Sequence, residues 1–476
     1  MERSVIIIGS GLGGLECGYI LSKEGFRVTV LEKSRQAGGC LQSFVRGSRR
    51  FDTGLHYVGG LGEGESLRPF LDYFGLMDLP WTQISPDCVD EVVIGGESFP
   101  LASGHERFAE LLGERFPSER DNLREYVSFL RKVGDGIFGI FDGDGGAMNR
   151  LLGCGAYEYL HSTIKDPLLR QVLSGAFMRM ELGESLPLYV FAQINDSFLQ
   201  SAWKLVGGGD QIVRRMTESI TSMGGTVLTD AEVTSIKVSG GLVCGVEVKG
   251  IGEMKADWVV SDAHPAVTLG LVDEGIRKVY KERISALDNT FGVFTANICL
   301  RPEGRSCPDG NIFIHRGGAD LWHPDLSVTE SVMVHFYPEP SGAPATHLDL
   351  LSPMPFISEE GEAYMFAKET KLKECLELAG DRLPWLEGSI ESVFTSTPRT
   401  YSRYTSSPLG SAFGIRRDWR RPLRTVLSPR TPLKNLLFTG QSLNLHGLLG
   451  VSMTSVLTCR EILGKDFISL RRNCNL

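Results

Sequence analysis

The 476-residue sequence predicts an α/β protein in which a Rossmann-like dinucleotide-binding domain is interleaved with a mixed α+β domain. The second domain is expected to carry a helical insertion and an antiparallel-type sheet. Three observations predict this. A βαβ unit with a glycine fingerprint opens the chain, and buried-strand texture of the same kind returns at 256–261 and 435–439. Between these stretches the pattern changes to helical periodicity or to runs of strands.

The opening unit spans residues 5–32. Residues 5–8 form a short β-branched run suited to a strand covered on both faces. Gly9, Gly11, Gly13 and Gly14 follow, and a helix is expected from there to about Lys23. Gly25 ends it, and Val28, Val30 and Leu31 make a second strand that stops at Glu32. Each part serves a dinucleotide. Gly9 permits the tight turn, Gly11 admits a pyrophosphate against the backbone, and Gly14 lets helix and strand close up. The helix N-terminus offers unpaired N–H groups and the positive end of its dipole. Glu32, eighteen positions after Gly14, is placed to accept hydrogen bonds from ribose hydroxyls. An isolated GxGxxG also fits a ligand-free turn, but here strand, helix and acid all stand in place. The unit alone leaves open which dinucleotide it holds.

At this length two domains are expected. The charged fraction of 22% and hydrophobic fraction of 42% are ordinary for a globular protein. A net charge of −9 and a pI near 5.6 argue against nucleic acid as a partner and give no general attraction to anionic lipid. The ten cysteines show neither CxxC pairs nor zinc-like spacing, so reduced thiols and no metal site are expected. No apolar run approaches the ~18 residues of a membrane span. The expected location is cytoplasmic, with peripheral contact at the inner face of a membrane left open.

Along the chain, Gly38-Gly39 makes a second close backbone approach, and a glycine-rich loop at 54–64 carries His56 and Tyr57. Residues 66–185 read as amphipathic helices, interrupted at 89–99 by a small strand pair turning at Gly95-Gly96. A helix after Gly209 precedes strands at 226–228, 233–238, 242–248 and 256–261. Further strands are expected at 291–300, 312–315, 331–337 and 389–395, with a helix at 359–379 and a last one at 451–463. The cofactor domain is expected to own 1–65, 190–270 and 425–476, and the second domain 66–189 and 271–424.

With Gly18 and Gly25 the opening reads GxGxxGxxxGxxxxxxG followed by VTVLEK, which resembles the FAD-binding flavoprotein superfamily that includes amine oxidases and phytoene desaturases. Gly38-Gly39 is similar to that superfamily's GG motif, and VVSDAHP at 259–265 to the strand closing its FAD domain. LFTGQ at 437–441 with HGLLG at 446–450 is similar to its C-terminal flavin motif. FDTGLHYVGG at 51–60 resembles, more narrowly, the carotenoid isomerase and retinol saturase branch of the phytoene desaturase family. A departure is Gln441, where related flavoproteins often place an acid.

The resemblance implies FAD, held by the opening glycines, Glu32, Lys33, Gly38, Gly39, Gly440, Gln441, Gly447 and Gly450, with an apolar tunnel for a polyene or similar lipid. It implies an oxidoreductase acting on carbon–carbon double bonds by hydride transfer at flavin N5. Cis–trans isomerisation by reduced FAD and non-catalytic lipid binding are the alternatives. No second βαβ fingerprint is present, so NAD(P)H is expected only as a transient reductant. Saturation also needs a proton donor, for which His56, Tyr57 and His446 are the candidates; their alternative role is to orient loops or cofactor. Arg399, Tyr401 and Tyr404 lie in a turn-rich stretch expected either to meet the cofactor or to form a solvated loop with aromatic anchors. Cys40 reads as a small packed residue rather than a flavin attachment point. The cluster Arg416, Arg417, Arg420, Arg421 and Arg424 reads as a solvated face, with lipid or nicotinamide phosphate as alternatives. Phe138, Ile140 and Phe141 are expected to pack on the helical insertion rather than to enter a membrane.

Overall fold

The computed structural model describes residues 3–137, 146–301, 308–337 and 345–464, so the Phe138, Ile140 and Phe141 trio lies outside the described residues. The first strand, Ser4–Ile8, is the centre of a five-stranded parallel sheet. Arg27–Leu31 and Thr226–Leu228 follow on one side, Trp258–Ser261 and Leu436–Phe438 on the other. Val5 and Ile7 face the helices Leu12–Lys23, Asp210–Ser222 and Gly447–Leu463. Ile6 and Ile8 face a three-stranded antiparallel sheet within 233–255. Both faces are therefore covered, and the strand is apolar at consecutive positions rather than at alternate ones.

The second layer is built on a seven-stranded sheet. Its spatial order is Ile390–Ser396, Gly292–Leu300, His347–Met354, Ser331–Phe336, Asn311–His315, Asp90–Ile94 and Glu97–Leu101. Phe294, Ala296, Ile298, Val332 and Val334 pack under the helix Glu362–Arg382. The alternate positions Val293, Phe313, Met333 and Leu351 face a helical layer that includes Arg120–Asp135 and Leu188–Gln200. That face also looks into the site.

The structure differs from the sequence-based expectation in three places. The strand pair turning at Gly95-Gly96 is the edge of the large sheet, joined to it by a parallel pairing of Asn311–His315 with Asp90–Ile94. The sheet is thus mixed, through a long-range pairing that no local pattern reports. His347–Met354 is a central strand although Asp349 and Pro353 interrupt its apolar pattern, and proline argues against a central strand. The stretch around Arg399, Tyr401 and Tyr404 contains a helix, Pro398–Thr405, begun by a capping box between Thr397 and Thr400 with proline at its first position. That start signal is in the sequence.

One buried acid tests the packing of the first layer. Glu16 lies between the first and last helices, where its Oε1 accepts from Ser452 Oγ at 2.6 Å and its Oε2 has no partner. Burial pushes its carboxyl up to about 8. A carboxyl raised on folding stabilises below its unfolded pKa near 4.5, and that contribution is lost as pH rises through about 8. Glu16→Gln is therefore expected to flatten the dependence of thermal stability on pH between those values. An unchanged slope would show that the carboxyl is ionised in the fold.

Candidate active site

Three turns meet at the carboxyl ends of the parallel strands, where α/β sheets bind ligands. They follow Ile8, Ser261 and Phe438. The turn after Ile8 begins at Gly9, whose φ of +92° only glycine adopts without strain. A Cβ on Gly13 would lie 2.6 Å from Asp262 Oδ1 and 3.0 Å from Gly440 Cα. One on Gly39 would lie 3.3 Å from Gly11 Cα, and one on Gly14 only 2.1 Å from the Gly9 carbonyl oxygen. The backbone thus forms a cradle that side chains would fill, at the N-terminus of a helix that no side chain caps. These residues fit a dinucleotide pyrophosphate. Asp262 accepts from the Gly14 N–H, and burial pushes its carboxyl up to about 7, which removes much of the charge that would repel a phosphate.

Glu32 is buried at the edge of the cradle and fixed there. Its Oε2 accepts from Ser10 N at 3.1 Å and Ser10 Oγ at 2.6 Å, and its Oε1 from Ser34 N at 2.9 Å. Lys33 beside it donates to Ser406 Oγ at 2.5 Å.

From the cradle a cavity of about 810 Å³ extends to the inner face of the seven-stranded sheet, at the upper end of the usual range for ligand sites. Gly9, Gly11, Gly13, Glu32, Lys33, Gly38, Gly39, Gly440, Gln441 and Gly447 all line it, as do His56, Tyr57 and His446. Gly14 and Gly450 stand behind the lining, packed on the Gly9 carbonyl and on the Leu445 backbone. Tyr401 and Tyr404 reach the cavity, and Tyr401 Oη shares a 2.8 Å hydrogen bond with Thr295 Oγ1. Arg399 does not, because its guanidinium is held by Glu360 and the Glu359 carbonyl. Cys40 opens onto the cavity, and the enclosing walls push its thiol up to about 11, so it carries no thiolate.

The three proton-donor candidates differ in what their polar atoms already do. His446 Nε2 donates to the Arg179 carbonyl at 2.9 Å, which spends the only N–H of a neutral ring; burial holds that ring down at about 4. Tyr57 Oη donates to Asp90 Oδ2 at 3.1 Å and accepts from Arg179 Nε at 2.9 Å. Its proton is committed to the wall, and burial raises the phenol well above its ordinary range. His56 differs. Its Nδ1 is buried without a hydrogen-bond partner, while the ring lines the cavity.

Sequence reasoning missed two cations beside these groups. Arg179 pairs with Asp90 in the interior and stacks over Phe198, its guanidinium carbon 4.1 Å from the ring centroid. Arg417, expected on a solvated face, is buried. It donates to the carbonyls of Asn444 and Phe413 at 3.1 Å and of Gln441 at 2.6 Å. Its neighbour Arg416 pairs with the largely buried Glu181, while Arg420, Arg421 and Arg424 are exposed and match the solvated reading, Arg420 pairing with Glu184 at the surface. Among the described residues no helix is long and apolar enough to cross a membrane.

Fold and site together define an oxidoreductase of the Rossmann dinucleotide-binding class. Residues 7–74 match the family model described as an NAD(P)-binding Rossmann-like domain. The chain is 27% identical to all-trans-retinol 13,14-reductase of Macaca fascicularis, over 98% of this chain and 87% of that protein. It is 22% identical to prolycopene isomerase 2, chloroplastic, of an Oncidium hybrid cultivar, over 97% and 84% respectively. The structure of wild-type putrescine oxidase bound to putrescine superimposes with a TM-score of 0.65 at 17% identity, covering 97% of this chain and 99% of that one. Over nearly its whole length the chain is therefore similar to proteins named all-trans-retinol 13,14-reductase and prolycopene isomerase.

Proposed function

We propose that the protein binds FAD and acts on carbon–carbon double bonds of a hydrophobic conjugated isoprenoid or related lipid, in the saturating or desaturating sense. The observation that carries this reading is a single cavity joining the glycine cradle to an apolar wall of Val293, Met333, Leu351, Phe413 and Leu445. When bound, FAD supplies hydride transfer. The opening glycines, Gly38 and Gly39 take the pyrophosphate side, and Glu32 takes ribose hydroxyls. Gly440, Gln441 and Gly447 face the remainder of the cofactor. The apolar wall orients a polyene chain and keeps water from the reacting carbons. The similarity to retinol reductase and prolycopene isomerase supports a polyene over the amines named for the structural neighbours.

The test is anaerobic incubation of the purified flavoprotein with dithionite-reduced FAD and a set of polyenes, read by mass spectrometry. A product heavier by two hydrogens is expected. A product of equal mass would replace reduction by isomerisation, a product lighter by two hydrogens formed with oxidised FAD would make the sense desaturating, and bound flavin that turns over no lipid in either oxidation state would make the protein a carrier. Glu32→Ala is expected to lower flavin content while leaving the preferred polyene unchanged; full flavin content would remove Glu32 from the ribose site.

A further inference from the structure

A line of buried polar side chains crosses the seven-stranded sheet beneath His56 and Tyr57. Asn297 stands in register with Asp349, Asp349 with His335, and Asn311 with Asp90, on the face that looks into the site. Asn297 Nδ2 donates to Asp349 Oδ1 at 2.7 Å, His335 Nδ1 and Asn311 Oδ1 are 2.8 Å apart, and Asn311 Nδ2 donates to Asp90 Oδ1 at 3.0 Å. The Asp90 end is closed by Arg179 and Tyr57. Among the described residues no cation closes the Asp349 end. Its Oδ2 accepts from Tyr337 Oη at 2.6 Å, and that hydroxyl accepts in turn from the Asp52 N–H at 2.8 Å. The orphaned Nδ1 of His56 lies 3.9 Å from the same Oδ2.

A buried carboxyl with two neutral donors and no counter-ion is favoured in its protonated form, and burial pushes Asp349 up to about 7. Burial holds the His56 imidazole down at about 4, so alone it is a neutral ring and a poor store of a proton. The other groups facing Asp349 add no positive charge at contact. They are His335 on the adjacent strand and Tyr337 just past its end, His347 on its own strand, Asp52 and His56 above it, and Tyr401 from the helix Pro398–Thr405. Lys204, whose charge disfavours protonation of His56 and His335, donates to the carbonyls of Asp309 and Phe336.

We propose that Asp349 is the proton store of this site and acts through His56. The inference rests on the double-bond reading above. As His56 gives its Nε2 proton to a substrate carbon, Asp349 passes its carboxyl proton from Oδ2 to His56 Nδ1. Reduced FAD, when bound, would supply the hydride and its two electrons to the neighbouring carbon. The freed π pair forms the bond to the incoming proton, leaving His56 protonated on Nδ1 and Asp349 as a carboxylate; solvent reaching the cavity reprotonates His56 Nε2, and the Nδ1 proton returns to Asp349. Asp349 is thus a positioning and supplying residue, while His56 is the catalytic residue at the cavity wall.

Asp349→Asn keeps the shape of the side chain and cannot supply the proton. It is expected to retain flavin and KM while kcat falls about 100-fold or more, the usual scale of general-acid catalysis. Wild-type kcat should decline as pH rises through about 7, and the variant should lack that limb. A second readout needs neither flavin nor turnover. In ¹⁵N-histidine spectra of the full chain, His56 resonances should shift with a midpoint near 7 in the wild type and not in Asp349→Asn. Should Asp349→Asn not fold, His56→Gln breaks the same relay from the cavity side and should lose kcat with flavin retained. Wild-type kcat and pH profile in Asp349→Asn would overturn the proposal. A wild-type protein that binds no flavin or reduces no polyene would instead overturn the double-bond reading. The histidine spectra would then decide the Asp349–His56 coupling alone, and a His56 signal flat from pH 6 to 8 would end it.

Discussion

Arg179→Ala is expected to destabilise the protein by about 3–5 kcal/mol, the scale for stripping one partner from a buried ion pair. Asp90 is fully buried, and Arg179 is nearly so. Removing the guanidinium leaves the Asp90 carboxylate with Asn311 and Tyr57 as its remaining side-chain donors, both neutral. Tyr57 loses the donor to its hydroxyl, and Phe198 loses the cation stacked on its ring. The bond from His446 survives, because it ends on the Arg179 carbonyl rather than on the side chain. Stability should therefore fall much further than the position of His446 changes. Urea unfolding measures the loss, and Arg179→Lys should fall between, keeping a charge without the fork that reaches Asp90 and Tyr57 together. A loss below about 1 kcal/mol for Arg179→Ala would mean that Asp90 is not held as a buried anion.

The parts of this fold legible in the sequence are those whose physics is local. Residues 5–32 combine a both-faces-buried strand, a glycine turn and an acid at fixed spacing, and each is set by contacts within one βαβ unit. The last strand and helix, 436–463, were legible for the same reason. The polar row was not. Asp90, Asn297, Asn311, His335 and Asp349 are scattered over 260 residues and meet only because five strands pair in one register. Asp349 even interrupts the apolar pattern of the strand that holds it. His56 and Tyr57 drew notice from their loop, yet what separates them is the group beneath each: Arg179 and Asp90 under Tyr57, an uncompensated carboxyl under His56. Arg417 shows the opposite error. A run of arginines reads as a solvated face, but one of them finds enough backbone carbonyls in the turns around it to be buried without an acid.

Gly14→Ala should abolish flavin binding and destabilise the protein, whereas Gly18→Ala on the same helix should leave a largely loaded protein. The difference is what each new methyl meets. At Gly14 it would lie 2.1 Å from the carbonyl oxygen of Gly9, a backbone atom at the turn that forms the cradle. The helix must move away from the first strand, and the cradle between Gly11, Gly13, Gly39 and Gly440 opens with it. Overpacking of this kind costs about 1–3 kcal/mol before any loss of cofactor is counted. At Gly18 the methyl would lie 3.0 Å from Ile220 Cδ1 and 3.3 Å from Val30 Cγ2, the ends of side chains that can yield by a few tenths of an ångström. Alanine also gains about 1 kcal/mol over glycine in a helix interior, which offsets part of that crowding. Flavin absorbance per chain after purification, with thermal melting of the same samples, separates the two variants. Equal flavin content in both would show that the close approach of helix to strand is not what shapes the pyrophosphate site, and the cradle would then have to be formed by the Gly38–Gly39 and Gly440 turns alone.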